Sequence, residues 1–227
     1  MGGRLCLGLL VVVCATAAIG DDYTVTSVAD SGPGSLRQAI TDASGHPGPD
    51  RVLFDPSLAG KIIKPVTPLP GLSDAGTDVN GDIGGDGRPD VALDGSRVPG
   101  NDWSVGLLVT GDDCTVRGLV IRRFPNYQVY AYEGARTAVL GCYINTSLDG
   151  TQPSVREDSS GILVGSRDRV GGPARGRRNV VCPGSGTGIW VYGEGVTVAH
   201  NLVGVKATGR GPFYDTPLGT GIAMGSG

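Results

Sequence analysis

Short apolar segments recur along the second half of the chain and predict its architecture. One series starts at residues 106, 128, 161, 188 and 221, so successive starts differ by 22, 33, 27 and 33 residues, and a second series interleaves with it. Segments this short cannot bury an apolar face alone, so the pattern predicts coils that stack along an axis and pair their strand edges in parallel. The first series reads Gly106–Val109, Gln128–Ala131, Gly161–Val164, Gly188–Val191 and Gly221–Met224, and the second reads Val116–Ile121, Val139–Ile144 and Val198–Val203.

Two intervals of 33 residues exceed the shortest interval, 22 residues, by 11 residues each. The extra residues fall around 145–160 and 205–219, which are rich in Gly, Pro, Asp, Thr and Ser. Both segments are therefore predicted to be loops inserted between strands. Which alternate residues of each strand face inward stays open, because a turn can reset the alternation.

One amphipathic helix is predicted before the coils. Ser35 and Gln38 form a capping-box pattern, and Gly45 ends the helical spacing of the apolar residues that follow Ser35. A single helix of about ten residues is marginal in water, so it must lie on an apolar surface. Together with the β-branched stretch from Tyr23 to Val28, residues 21–49 are predicted to cap the open end of the coils in 50–227.

The first twenty residues have the pattern of an export signal. Arg4 precedes an apolar run from Leu5 to Ala18, and small residues and an acidic pair follow. The pattern predicts a signal peptide over 1–20, cleaved near residue 17 or 20, and a secreted or cell-surface protein. An uncleaved anchor is the alternative, and no later segment is long and apolar enough to span a bilayer.

Composition narrows the classes of protein that fit. The chain has 40 Gly and 15 Pro among 227 residues, which excludes a long helical bundle, and its net charge of −3 gives no support to nucleic-acid binding. A basic cluster at Arg175, Arg177 and Arg178 is interpreted as a solvated loop. After signal removal, Cys114, Cys142 and Cys182 remain, an odd number that permits a disulfide or three buried thiols.

Several stretches resemble a known group of proteins. Tyr23–Ser27, Ser35–Ile40 and Val52–Gly60 resemble the N-terminal part of secreted bacterial parallel β-helix proteins with pectate-lyase-like folds. Later stretches are similar to the parallel β-helix repeats of that group: Gly171–Gly172, Arg178–Val181, Gly188–Ile189 and Asn201–Gly204. The resemblance implies an all-β, right-handed, single-stranded parallel β-helix with a short N-terminal capping α-helix. The group includes lyases, hydrolases, epimerases and non-catalytic adhesins, so it implies no particular activity.

The last repeat strand ends at Met224, and no capping segment is recognisable after it. Terminal coils of solenoids need polar covers for solubility. We therefore expect the sequence to be the leading part of a longer polypeptide.

The most distinctive polar segment runs from Asp78 to Asp90. Asp78, Asn80, Asp82 and Asp86 offer hard oxygen ligands, and the glycines between them allow a loop to curl around an ion. The segment departs from the EF-hand loop at Ile83, where Gly is expected. Calcium is the one cofactor that the sequence suggests, and the alternative is an Asp/Gly turn whose carboxylates cap the backbone.

Asparagines next to strand segments predict a stacked ladder, since Asn adopts left-handed turns and its amide bonds to neighbouring coils. These residues are Asn126, Asn145, Asn179 and Asn201. Asn145-Thr146-Ser147 also matches a glycosylation acceptor.

No catalytic set of residues is convincing. Asp112 and Asp113 are an adjacent carboxylate pair in the repeats, and they point to opposite faces if they lie on a strand. Arg122 and Arg123 follow a strand and are interpreted as solvent-facing charges rather than lyase bases. The N-T-D, G-H-G and R-I-K motifs that polygalacturonases of this fold carry are absent from the sequence, and so are the W-x-D-H and R-x-P-x-x-R motifs of pectate lyases.

Aromatic residues are the strongest candidates for binding. Tyr130 and Trp190 occupy the same position of the first series, and Tyr132 and Tyr192 follow each of them by two residues. The shared alternation predicts an aromatic surface on one sheet that stacks against sugars, and the alternative is that the rings fill or shield the core. Trp103, Tyr127 and Tyr214 are further aromatic residues of the same region.

These observations favour an extracellular β-helix module that binds glycans or surface partners. The alternative is a polysaccharide lyase or glycoside hydrolase that acts on an acidic polysaccharide.

Overall fold

The computed structural model describes residues 19–100, 104–157, 159–174, 176–216 and 218–225. Most of the predicted signal peptide, Trp103 and Arg175 lie outside them. The N-terminal part contains β1 (Asp22–Val25), α1 (Leu36–Gly45), β2 (Arg51–Phe54), β3 (Ile62–Ile63), β4 (Asp78–Asn80) and β5 (Val91–Asp94), with single 3-10 turns at Pro56–Leu58 and Gly95–Arg97.

The repeats continue with short strands to the end of the described chain. They are β6 (Leu107–Leu108), β7 (Thr115–Arg117), β8 (Leu119–Arg122), β9 (Tyr127–Ala131), β10 (Ala138–Leu140), β11 (Tyr143–Ile144), β12 (Ser160–Val164), β13 (Arg169–Val170), β14 (Val180–Val181), β15 (Thr187–Val191), β16 (Thr197–Val198), β17 (Leu202–Val203) and β18 (Thr220–Met224).

Three parallel sheets wind along one axis. Sheet 1 has the order β1-β2-β4-β7-β10-β13-β16, sheet 2 has β3-β5-β8-β11-β14-β17, and sheet 3 has β6-β9-β12-β15-β18. Every full coil therefore contributes one strand to each sheet, and each strand pairs with the same strand of the next coil. This confirms the predicted parallel β-helix.

The core consists of columns of identical or similar side chains. In sheet 1 each inward valine pairs with the valine of the next coil, and sheet 2 stacks leucine, isoleucine and valine in the same way. Most of these side chains are fully buried. The sheet 1 column contains Val52, Val79, Val116, Val139, Val170 and Val198, and the sheet 2 column contains Leu93, Ile121, Ile144, Val181 and Val203.

The second sequence series is not one strand type, as predicted, but two. Val116–Ile121 bends at Gly118 and Val139–Ile144 bends at Gly141, where φ is +62° and +61°. His200, at φ +60°, makes the same corner in Val198–Val203. Each left-handed residue sends the chain from sheet 1 to sheet 2, so inward alternation restarts after the corner.

The capping helix forms as predicted. The Ser35 side chain accepts a hydrogen bond from the Gln38 backbone N–H, while the Gln38 side chain bonds Asp42 rather than completing a capping box. The apolar residues Leu36, Ala39, Ile40 and Ala43 are buried. The helix contacts β1 and β2, and so covers the first coil of the core.

Two of the predicted ladder asparagines stack. Asn179 Nδ2 donates to Asn201 Oδ1 at 2.9 Å and to the Val139 carbonyl at 2.8 Å, and Asn201 Nδ2 donates to the Val170 carbonyl. Asn145 is buried, and its side-chain amide has no hydrogen-bond partner in the described chain. Burial also makes Asn145 inaccessible to glycosylation in the folded protein.

The two long insertions form matching hairpins between sheets 2 and 3. Thr146 bridges Pro153 in the first hairpin and Val205 bridges Pro212 in the second. The hairpins stack, because the Ala207 N–H donates to the Gly150 carbonyl at 2.9 Å. Among the described residues, no helix is long and apolar enough to cross a membrane.

Candidate ligand-binding surface

The predicted aromatic residues lie on the outer face of sheet 3. Strand pairing places Tyr130, Leu163 and Trp190 side by side on three successive coils. The neighbouring Val129, Ala131 and Ile189 are buried in the core, whereas Tyr130 and Trp190 are half-buried and Tyr132 is 44% exposed. The rings therefore face solvent rather than fill the coil.

Five rings form a continuous chain of contacts around Leu163. Tyr127 contacts Tyr130 with centroids 5.7 Å apart, and Tyr130 contacts Tyr132 at 6.4 Å. Tyr132 then contacts Tyr192 at 5.6 Å with an interplanar angle of 89°, and Tyr192 contacts Trp190 at 6.3 Å. We call these five rings and Leu163 the aromatic horseshoe. Sequence analysis found its two i, i+2 pairs but not the contact between them.

A hollow of about 280 Å³ lies inside the horseshoe and is lined by Tyr130, Tyr132, Leu163 and Tyr192. Leu163 is only 7% exposed, so it forms the floor. On the middle coil, Gly165 lies between Tyr132 and Tyr192. The Gly165 N–H donates to the Ala131 carbonyl of the preceding coil, and the Tyr192 N–H of the following coil donates to the Val164 carbonyl. A coil without a side chain at this position lets the two tyrosines on either side of it meet.

The charged residues next to the horseshoe are mainly acidic. Glu133 and Glu194 are exposed just beyond Tyr132 and Tyr192, and neither forms an ion pair with another described residue. Burial raises the pKa of Tyr130, and the negative charge of Glu133 raises it further. Arg167 is exposed on the turn of the middle coil, and its backbone N–H bonds the Glu194 carbonyl.

The residues of the predicted calcium loop lie close together, but their side-chain oxygens accept hydrogen bonds from the loop's own backbone or from Arg117. Asp82 accepts the Asp86 and Gly87 N–H groups with its two oxygens at 3.1 and 2.9 Å, and Asn80 accepts the Asp82 N–H. Asp78 forms a two-pronged ion pair with Arg117 at 2.7 to 3.1 Å.

These contacts engage both oxygens of Asp78 and of Asp82 and the amide oxygen of Asn80, so a metal would compete with the donors that these oxygens already accept from. In the described ranges no three His, Cys, Asp or Glu residues are grouped to hold a metal ion. This geometry favours the capped-turn alternative, and the calcium site stays a prediction.

Two larger hollows border this acidic loop. One of about 570 Å³ is lined by Asp78, Asp82, Arg117 and Arg177, and an adjoining one of about 370 Å³ by Arg88, Arg178 and Tyr143. Arg88, Arg177 and Arg178 are exposed and form no ion pair with a described residue. We call these two hollows the loop groove. Its walls are the loop 81–90 and the described residues of the loop 171–179, which leave sheet 1 at the same corner.

The charged candidates for catalysis are engaged in structural pairs. Arg122 and Arg123 both bind the fully buried carboxylate of Asp94, with Arg122 Nε 3.1 Å from Asp94 Oδ2. Asp112 and Asp113 are exposed and share Arg136. Sequence analysis missed Asp94, because its two partners lie 28 and 29 residues away and meet it only when coils stack.

The strand pairing defines this protein as a parallel β-helix with a partly exposed aromatic surface. No protein-family model matches the sequence, and a comparison with curated proteins finds no match. The crystal structure of pectate lyase Pel9A is similar, with a TM-score of 0.43 and 16% sequence identity. The match covers 91% of this chain and 58% of that enzyme, so the chain spans little more than half of its length.

Proposed function

We propose that this protein is an extracellular glycan-binding β-helix module whose binding surface is the aromatic horseshoe. The observation that carries the proposal is the unbroken contact of five partly exposed rings, three of which line one hollow. The flat faces of sugar rings expose C–H groups that pack on aromatic rings, while tyrosine hydroxyls bond sugar hydroxyls.

The sequence supports the extracellular part of this proposal. Residues 1–20 have the pattern of a signal peptide, and the repeats resemble those of secreted bacterial β-helix proteins. A binding role requires no catalytic set of residues, and the charged candidates for catalysis are engaged in ion pairs with Asp94 or Arg136.

Retention in native gels that contain polysaccharide tests this proposal. We expect the wild-type protein to be slowed by a neutral glucan, xylan or mannan, and Trp190→Ala and Tyr192→Ala each to weaken binding by about threefold to tenfold, since an aromatic contact contributes about 0.5–1.5 kcal/mol. Tyr192→Phe keeps the ring and is expected to bind nearly as wild type does. If no polysaccharide slows the wild type, or if the alanine variants migrate with it, the proposal is wrong.

A second candidate function is the binding or processing of an acidic polysaccharide in the loop groove. Three exposed arginines without carboxylate partners among the described residues favour it, because guanidinium groups bind carboxylates in pairs of hydrogen bonds. The same gels with uronate polysaccharides distinguish the two functions. Lyase activity creates unsaturated ends that absorb ultraviolet light, hydrolysis creates reducing ends, and binding alone creates neither.

A further inference from the structure

The aromatic horseshoe is closed on the side where its strands end. Tyr132 and Tyr192 belong to coils on either side of Gly165, and their rings are in edge-to-face contact at 5.6 Å. Strands of neighbouring coils are about 4.8 Å apart, so these two strands are separated by about 10 Å. The two side chains therefore lean together and bridge the middle coil.

The remaining walls confine a ligand to the middle coil. Tyr130 on the preceding coil and Tyr192 on the following one line the hollow on the two sides of the floor residue Leu163. Toward the start of the strands, no described residue before Tyr130 and Leu163 lines the hollow. A linear ligand that lies along the middle coil must therefore stop at the tyrosine bridge.

The electrostatics of the closed end select against acidic ligands. Glu133 and Glu194 follow the two bridging tyrosines, and Arg167 is the one cation on the intervening turn. Two carboxylates against one guanidinium leave a net negative charge, which repels uronates and sulfated sugars. Carboxylates also accept hydrogen bonds from sugar hydroxyls.

We infer that the aromatic horseshoe binds the terminal sugar of a neutral glycan chain rather than an internal segment. This inference rests on the proposed glycan-binding function. It adds that the tyrosine bridge sets where the chain stops, and that the two glutamates disfavour an acidic end.

Calorimetric titration with short and long chains of the same glucan, xylan or mannan tests the inference. We expect a fixed number of protein molecules per chain end, whatever the chain length, and at least tenfold weaker binding of oligosaccharides that carry a uronate at their ends. An internal site instead gives a number of bound molecules that rises with chain length.

Two variants test whether the tyrosine bridge restricts binding to chain ends. Tyr132→Ala removes the bridge, and we expect long chains then to bind more protein molecules per chain than wild type. Tyr127→Ala is the matched control, because it removes a ring at the other end of the horseshoe and leaves the bridge intact. It is expected to bind at chain ends only.

Each result has a distinct meaning. Binding in proportion to chain length by the wild type overturns this inference and leaves the glycan-binding proposal standing, and so does a Tyr132→Ala variant that still binds only at ends. Absence of any binding overturns the glycan-binding proposal and this inference together.

Discussion

Asp94 supplies the negative charge that neutralises two arginines of sheet 2. It is fully buried and accepts hydrogen bonds from Arg122, Arg123 and the Ser96 N–H. Burial by itself raises the pKa of the Asp94 carboxyl, but the hydrogen bonds from Arg123 and Ser96 and the Arg123 charge outweigh burial and lower the pKa below 3.8. The carboxylate is thus ionised in the folded protein.

Asp94→Asn is predicted to destabilise the fold by about 3 kcal/mol near neutral pH, because it leaves two guanidinium groups without their shared anion. The free energy of urea unfolding measures this loss. Since the folded pKa of Asp94 is lowered, its contribution is present above pH 3.8 and is lost as the pH falls through the folded value. The difference in unfolding free energy between wild type and Asp94→Asn is therefore expected to become smaller in acid.

Asp113→Asn is the control for this substitution. Asp113 is exposed and pairs with Arg136 at the surface, where water competes for both charges. Its replacement is expected to leave the unfolding free energy unchanged. Equal stability of Asp94→Asn and wild type would show that the buried cluster does not stabilise the fold.

The roles of some single residues could be predicted from the sequence, and those of others could not. It identified Asn179 and Asn201 as a ladder, because asparagine beside a β-strand has few other roles in a stacked coil. It read Arg122 and Arg123 as solvent-facing charges, because arginine is rarely buried and nothing near them in sequence neutralises them. Partners on another coil become visible only when the register is known.

At the scale of the element, left-handed residues decide where strands end. Gly118 and Gly141 turn the chain from sheet 1 to sheet 2, and a loop crosses close to each. A Cβ atom at Gly141 would lie 2.2 Å from the Gly176 carbonyl oxygen, which belongs to one wall of the loop groove. The glycine is thus required by space as well as by φ.

Gly141→Ala is predicted to cost about 2–4 kcal/mol, because it adds a steric clash to the strain of a positive φ. Gly60→Ala is the matched control, since Gly60 has a φ of +76° and open space around its Cα atom. We expect Gly60→Ala to cost only about 1 kcal/mol. Thermal unfolding of both variants measures the difference, and equal losses would contradict the role of the close approach.

Elements with a strong periodic pattern were predictable. The helix has a cap, an apolar stripe and a terminating glycine, and it forms at Leu36–Gly45 as predicted. The corners were not predictable, because a glycine in the middle of an apolar run reads equally as a bulge, a small core residue or a turn. His200 makes the same corner without glycine, so no residue type alone marks it.

At the scale of the whole molecule, stacked columns of apolar side chains hold the coils together. One core cluster extends from Val25 in the first coil to Ile189 near the end of sheet 3. The three cysteines of the described chain are buried and free. Burial raises the pKa of Cys114 to about 11 and that of Cys142 to about 12, so both thiols stay protonated and unreactive.

The cysteines of the described chain are free, and its described His, Cys, Asp and Glu residues form no group of three that could hold a metal ion. The melting temperature is therefore predicted to be insensitive to a reductant and to a metal chelator. A disulfide or a bound calcium ion would stabilise the folded state and its removal would lower the melting temperature. Calorimetry with dithiothreitol or EDTA measures both effects, and added calcium serves as the reverse test. A fall with EDTA that calcium restores would establish an ion site and point to the loop of Asp78 and Asp82.

The parallel β-helix itself was predictable because its repeats share one register from coil to coil. The aromatic horseshoe was only half predictable, since the contact between Tyr132 and Tyr192 joins two coils that are not neighbours, with Gly165 on the coil between them. The loop groove was missed, because loops 81–90 and 171–179 are distant in sequence and meet only at their common corner.

That corner lies between sheets 1 and 2, and the aromatic rings lie on sheet 3. The loops at the corner lie between the strands of the hydrogen-bonded ladders and contain none of the rings of the horseshoe. Mutation can therefore lengthen, shorten or recharge those loops over generations without realigning the rings. A designer can likewise graft a foreign peptide there without replacing any residue of sheet 3.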